Sequence, residues 1–209
     1  MTAGRAIAER DRASGRTRRA ILRAAEHLLA TVGEDGLSIR EVCARAGVTA
    51  PTIYHHFGDK RALVDRVVDD CFVEFDRTFR RPDAPPDPVA RLAWSFDRYV
   101  EYGLRHPTHY RLMFQRAAPR PTPAGQESYE GLRRLVAAAA DAGRLAIGAD
   151  DAAAAFWSAV HGVTSILISG FLDPSSPVPG LVRDAMLAHL TRPAPTRAGG
   201  RPRRRRRTR

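Results

Sequence analysis

Ser38 and Thr49 flank a single glycine, Gly47, and each opens a short segment with helical spacing. Ser38-Ile39-Arg40-Glu41 is a capping box, in which the serine hydroxyl can accept from the Glu41 amide while Glu41 reaches back. The helix it opens runs to about Ala46, and Gly47 then permits a left-handed turn. Thr49 can cap the next helix, with Pro51 in its first turn, where a missing amide proton costs nothing. Cys43 supplies the small side chain and Ile53 the apolar plug that two closely crossing helices need. An amphipathic helix precedes them, marked by Ile21, Leu22, Ala25, Leu28, Leu29 and Val32, and Gly33 to Gly36 stops it. Helix, capped short helix, glycine turn and capped short helix make the layout of a helix-turn-helix.

The same punctuation continues along the chain. Gly58 ends the third helix and Asp59 caps a fourth, whose apolar face includes Leu63, Val67, Cys71, Phe72 and Phe75 and which reaches about Arg80. Pro82 to Pro88 breaks the chain. Beyond it the spacing predicts helices over about 88–106, 107–117, 124–143, 149–171 and 177–191, and no run alternates as a half-buried strand must. The expected fold is all-α: an N-terminal three-helix helix-turn-helix DNA-binding domain over 16–60, and a larger helical domain over 61–192. Residues 1–15 have few large apolar side chains and read as a flexible basic arm; order is expected to end near Thr191, and 193–209 reads as a disordered Arg-rich tail.

Charge narrows the partners. The net charge is +11, but the terminal RPRRRRRTR holds seven arginines, so residues 1–200 carry +11 − 7 = +4 and the body is only mildly basic. Such a tail offers phosphates a diffuse positive cloud that adds affinity without sequence information. No run approaches the roughly 20 uninterrupted apolar residues of a membrane span, and the Arg-rich start lacks the apolar core of a signal peptide. A cytoplasmic location and no membrane partner are expected. Cys43 and Cys71 stand in helical segments without a CxxC, as free structural thiols.

The run LSIREVCARAGVTAPTIYHHFGDKRAL adds the Tyr54-x-x-Phe57 pair and Lys60 to the capped turn, and with them it resembles the DNA-binding domain of the TetR family of bacterial transcriptional regulators. Farther on, Phe156-Trp157 with His161-Gly162 resembles the WHG-type C-terminal domain of one branch. The resemblance implies that Thr49, Pro51, Thr52, Tyr54 and His55 face DNA, where hydroxyls and rings reach phosphates or base edges and Pro51 touches a thymine methyl. Lys60, Ser38 and Arg40 would meet phosphates from helix starts, and Arg16 and Arg18 would hold the flanking backbone. Phe57 should point inward. Tyr54 has a competing reading as a core aromatic, and His56 as a packed or solvated residue. His55-His56 is a poor metal pair, because adjacent helical residues diverge by about 100° and no further ligand converges by spacing.

Trp94, Tyr99, Tyr102, His106, Tyr110 and Phe114 concentrate aromatic and polar groups in one stretch, with Trp157 and His161 later. The plain reading of each is core packing; together they have the mixture of rings, hydroxyls and imidazoles that orients a small effector, the role the resemblance implies. Ser158, Gly162, Ser165, Ile166 and Ser169, with Leu187 on the last helix, are spaced for close helix approach and resemble the family's dimer-forming pair. A homodimer would read an inverted repeat in double-stranded DNA. No phosphate loop, GxSxG, HExxH or spaced carboxylate pair is present, so no catalytic residue, metal or cofactor is expected. Two rival readings are a general nucleic-acid-coating protein, suggested by the tail, and an enzyme built on a helical pocket.

Overall fold

The computed structural model describes residues 2–115 and 121–192. Among the described residues the chain forms nine helices: α1 Thr2–Gly36, α2 Ile39–Ala46, α3 Ala50–Phe57, α4 Lys60–Arg77, α5 Pro88–Arg105, α6 Pro107–Phe114, α7 Pro123–Asp141, α8 Ala149–Ile168 and α9 Val178–Leu190. The expected all-α architecture is what the chain adopts.

The capping signals act largely as expected. Ser38 accepts from the Glu41 amide at 3.2 Å, Asp59 from Ala62 at 2.7 Å, Asp87 from Ala90 at 2.8 Å and Thr122 from Gly125 at 3.2 Å. Gly47 sits at φ 65°, ψ 39°, where a side chain would be strained, so it lets α3 cross α2 at once. Thr49 differs from expectation. It occupies the cap position, but its hydroxyl meets the Thr52 hydroxyl at 3.0 Å and no backbone amide.

Two chain-end readings change. The expected loose arm is helical: α1 extends back to Thr2, because residues 2–15 contain no proline and are rich in alanine and arginine, both strong helix formers. The first helix leaves helical geometry at Gly33 (φ 73°, ψ −178°), where the stop signal lies. Thr191 and Arg192, placed at or beyond the end of order by sequence, are bonded: Thr191 bridges Leu145, and the Arg192 amide donates to the Arg144 carbonyl at 2.8 Å. The tail over 193–209 lies outside the described residues.

Ile21, Leu28, Leu37, Val42, Ile53 and Leu63 are almost wholly buried and join α1 to α4 into one core. Burying a side chain of this size contributes about 1.5–3 kcal/mol. Above it, α5 is the central helix, packed against α6, α7, α8 and α9. It approaches α8 so closely at Gly103 that an added Cβ would overlap Thr164 Cγ2. Arg183 of α9 pairs with Asp97 of α5 at 2.6 Å and closes that side. By length and hydropathy alone α8 could cross a membrane; its apolar residues Phe156, Val160, Val163 and Leu167 instead fill the core.

Candidate DNA-binding and effector sites

Ile53 is fully buried and fixes the orientation of α3. At about 100° per residue, Pro51 and His55 lie opposite it, with Tyr54 and Thr52 on the flanks. Accordingly Thr49, Pro51, Tyr54 and His55 are exposed and Thr52 half-buried. Tyr54 is 46% accessible, which rejects the core reading for it. Phe57 packs partly on the core, as expected, and the Arg18 guanidinium lies over its ring at 5.3 Å. Arg18 is thereby held beside the end of α3, while Arg16 and Arg40 are exposed and Lys60 is half-buried at the start of α4. The caps modify the expected phosphate contacts. The Asp59 carboxylate already takes an amide of the α4 start, so the expected phosphate contact there would depend on the Lys60 charge itself; the Ser38 hydroxyl accepts from Glu41, which leaves its proton free to donate.

In the C-terminal region a cavity of about 630 Å³ opens between α4, α5, α6, α7 and α8. Its walls include Tyr99, Phe114 and Trp157 of the expected effector set. Sequence reasoning missed the larger share of the lining: Phe72, Phe75 and Asp76 from α4, Phe79 from the turn that follows it, and Ser128, Tyr129 and Leu135 from α7. The signal was present on α4, where positions 72, 75, 76 and 79 form one helical stripe and Asp76 interrupts it. For α7, no local pattern marks the cavity-facing side.

The other expected effector residues stand off the cavity. Trp94 is half-buried and carries the Arg98 guanidinium at 5.9 Å from its ring. Tyr110 is fully buried behind Tyr99 and Phe114, with its hydroxyl 2.8 Å from His161 Nδ1; the Tyr99 hydroxyl is 3.3 Å from the same nitrogen. Burial lowers the His161 pKa, so the imidazole is neutral near pH 7 and serves as a packed, hydrogen-bonded hub behind the rings. Tyr102 and His106 lie on another side of α5, in a cluster with His109. The Tyr102 hydroxyl is 2.9 Å from His109 Nδ1, and His109 Nε2 is 2.8 Å from Glu26 of α1. That hydrogen bond raises the His109 pKa and lowers that of Glu26.

Glu74, His106 and His109 bring three possible metal-ligand atoms within 4.8 Å of one another. Both His109 nitrogens already have partners, and the two imidazoles stack with planes 17° apart, so their lone pairs do not converge on one point. The set reads as a hydrogen-bonded joint between α1 and α6. Cys71 is buried nearby, and burial pushes its thiol pKa up to about 12, which keeps it unreactive; Cys43 is also free.

On α8, Ser158, Ile166 and Ser169 are exposed, Gly162 and Ser165 half-buried, and an added Cβ at Gly162 would meet nothing within 4 Å. Leu187 must be withdrawn from the dimer set. It is buried within this chain, because its α9 position faces the core beside Leu190.

Residues 21–67 match the family model of bacterial regulatory proteins of the TetR family, and residues 95–190 match that of the tetracyclin repressor-like C-terminal domain. This chain belongs to the TetR family. An uncharacterized HTH-type transcriptional regulator of Mycobacterium tuberculosis is 28% identical over 180 residues, covering 82% of this chain and 79% of that protein. The class A tetracycline repressor from transposon 1721 of Escherichia coli is 42% identical over 67 residues, which span only 32% of this chain and 31% of that repressor. Among solved structures, a protein of unknown function from Rhodococcus sp. is 30% identical, with a TM-score of 0.71 over 84% of this chain and 96% of that one. A TetR family transcription regulator from Marinobacter aquaeolei shares the fold, with a TM-score of 0.67 at 16% identity over 87% of this chain and 98% of that one. The TetR-family match thus falls on both the helix-turn-helix and the helical region above it, and the chain is a DNA-binding transcriptional regulator.

Proposed function

We propose that the protein is a homodimeric, cytoplasmic repressor that binds an inverted-repeat operator through α3 and leaves it when a small molecule fills the cavity. One observation carries this reading. The helix α4 begins at Lys60 beside α3 and sends Phe72, Phe75 and Asp76 into the cavity wall, so one element has an end beside α3 and an end at the cavity. A ligand that binds better to one tilt of α4 than another shifts the spacing of two recognition helices by its differential affinity. A cavity of about 630 Å³ suits a drug-sized molecule. In this reading 16–60 forms the DNA-binding unit, 61–192 the effector and dimer unit, and α4 joins them.

The dimer is supported by exposed apolar side chains on α8, on α9 and between them: Ile166 is 50% accessible, with Leu181 and Phe171 more so. The DNA contacts are Arg16, Arg18, Ser38, Arg40, Thr49, Pro51, Thr52, Tyr54, His55 and Lys60. Selection of bound fragments from random DNA tests the reading. A palindromic consensus that releases protein when a cavity ligand is added is the expected result; binding with no sequence preference would replace it with the coating-protein reading.

A further inference from the structure

Within the cavity one polar group is out of keeping with its surroundings. Asp76 lies on α4 between Phe72, Phe75 and Phe79, and its Oδ1 accepts a hydrogen bond from the Ser128 hydroxyl at 2.7 Å. Among the described residues it has no salt bridge. Of the three other charged residues lining the cavity, Arg134 is tied to Glu127 at 2.7 Å, and Arg80 is exposed to solvent. Burial raises the Asp76 pKa, with the Ser128 bond and the more distant Arg80 acting against it. A carboxylate half-withdrawn from water with a single neutral donor is a costly arrangement unless something else neutralises it.

The rings beside it have the complementary property. Phe75 meets Phe79 edge to face at 4.9 Å and Tyr99 at 5.1 Å; Phe72 meets Phe114 at 5.5 Å, and Tyr129 meets Trp157 at 6.0 Å. Aromatic faces attract cations and repel anions, and do so more strongly where water is excluded. A neutral apolar ligand would use the rings and leave Asp76 unsatisfied. An anion would use only Arg80, which water already solvates.

We propose that the cavity is selective for hydrophobic organic cations, with Asp76 as the counter-charge and the α4, α5 and α8 rings as the apolar walls. This rests on the reading of the cavity as the effector site and assigns that site its ligand class. Ser128 is a positioning residue, holding the carboxylate turned toward the cavity.

Three tetraphenyl or triphenyl probes of similar shape and different charge test it on the full chain by calorimetry: tetraphenylphosphonium, tetraphenylborate and neutral triphenylphosphine oxide. Phosphonium is expected to bind about tenfold or more tighter than either of the others. Asp76→Asn should abolish that preference and leave the affinity for the phosphine oxide unchanged, which also reports that the cavity is still folded. Ser128→Ala, which keeps the charge, should retain a preference for phosphonium. Equal affinities for the three probes, or a preference for borate, overturn the cation assignment; if the bound probe still releases operator DNA, the effector reading survives. Failure of all three to bind overturns both.

Discussion

The N-terminal helices and the C-terminal cavity carry their polar groups in opposite ways. On α2, α3 and the start of α4, hydroxyls, rings and charges such as Thr49, Tyr54 and Lys60 stand outside a small core that Ile53 and Val42 close. In the C-terminal helices and the end of α4, the Tyr99, Tyr110 and Tyr102 hydroxyls, His161 and Asp76 are turned inward, at the cavity wall or behind it, and have hydrogen-bond partners on other helices. An outward site can lose a contact without disturbing the fold, whereas an inward one is also part of the packing. The two regions therefore predict different responses to truncation, and in the proposed homodimer a third face, on α8, would link one copy's readout to the other's.

The largest effect should come from that third face. Ile166→Arg places a charge where the side chain is half accessible, so a single chain tolerates it, but an apolar seam does not. Sedimentation should show monomers, and operator affinity should fall by about 10²–10⁴-fold, because each half-site then binds without its tethered partner. Affinity for a cavity probe should stay the same. A variant that remains dimeric would move the seam elsewhere.

Next in size are the DNA contacts. Tyr54→Ala and Lys60→Ala should each weaken operator binding by about tenfold, with Lys60→Ala also lowering the salt slope by about one counterion. Their melting midpoints should be close to the parent's, since surface changes of this kind stay within about 0.5 kcal/mol. The contrast sharpens if Phe75→Ala, on the inward side, lowers the midpoint while leaving the salt slope alone. It breaks if Tyr54→Ala melts like a core variant.

This difference also explains what the amino-acid order could disclose. Caps, turn glycines and proline breaks act over three or four residues, so Ser38, Gly47 and Asp59 could be located before any tertiary contact was known, and most of the helices followed within a few residues. The outward side of α3 follows from the period of one helix anchored by Ile53, and the expectation that this side meets DNA came from the family resemblance. The cavity is assembled from five helices far apart in sequence, and which side of α7 faces it depends on how α7 lies against α4 and α8. Grouping aromatic residues by nearness in sequence therefore put Tyr102 and His106 with Tyr99, although they lie off the cavity wall. The same limit applied to Leu187, whose inward side is set by α9 packing. The α1 arm failed for another reason: sparse large apolar groups were weighted above strong helix propensity.

The smallest predicted effect lies where the two regions meet, at His109 and Glu26. His109 faces Glu26 from α1, Glu74 from α4, the Tyr102 hydroxyl from α5 and the stacked His106 ring at the α5–α6 corner. Its pKa is raised chiefly by the hydrogen bond to Glu26, so the stabilisation it adds is complete below the ordinary imidazole value and is lost as pH rises through the raised one. The Glu26 pKa is lowered by the same bond, so its share is present above the ordinary carboxylate value and is lost as pH falls through the lowered one. The contact is strongest between about pH 4.5 and 6.5. Glu26 is 38% accessible, so solvent screens the pair and its worth is at most about 1 kcal/mol. His109→Gln keeps a hydrogen-bonding side chain but removes the charge, and His106 is present in both proteins. The melting midpoint of the parent should exceed that of His109→Gln by more at pH 6 than at pH 8.5. An equal gap at both values would make His109 a neutral spacer, and the joint between the two regions would then be held by packing alone.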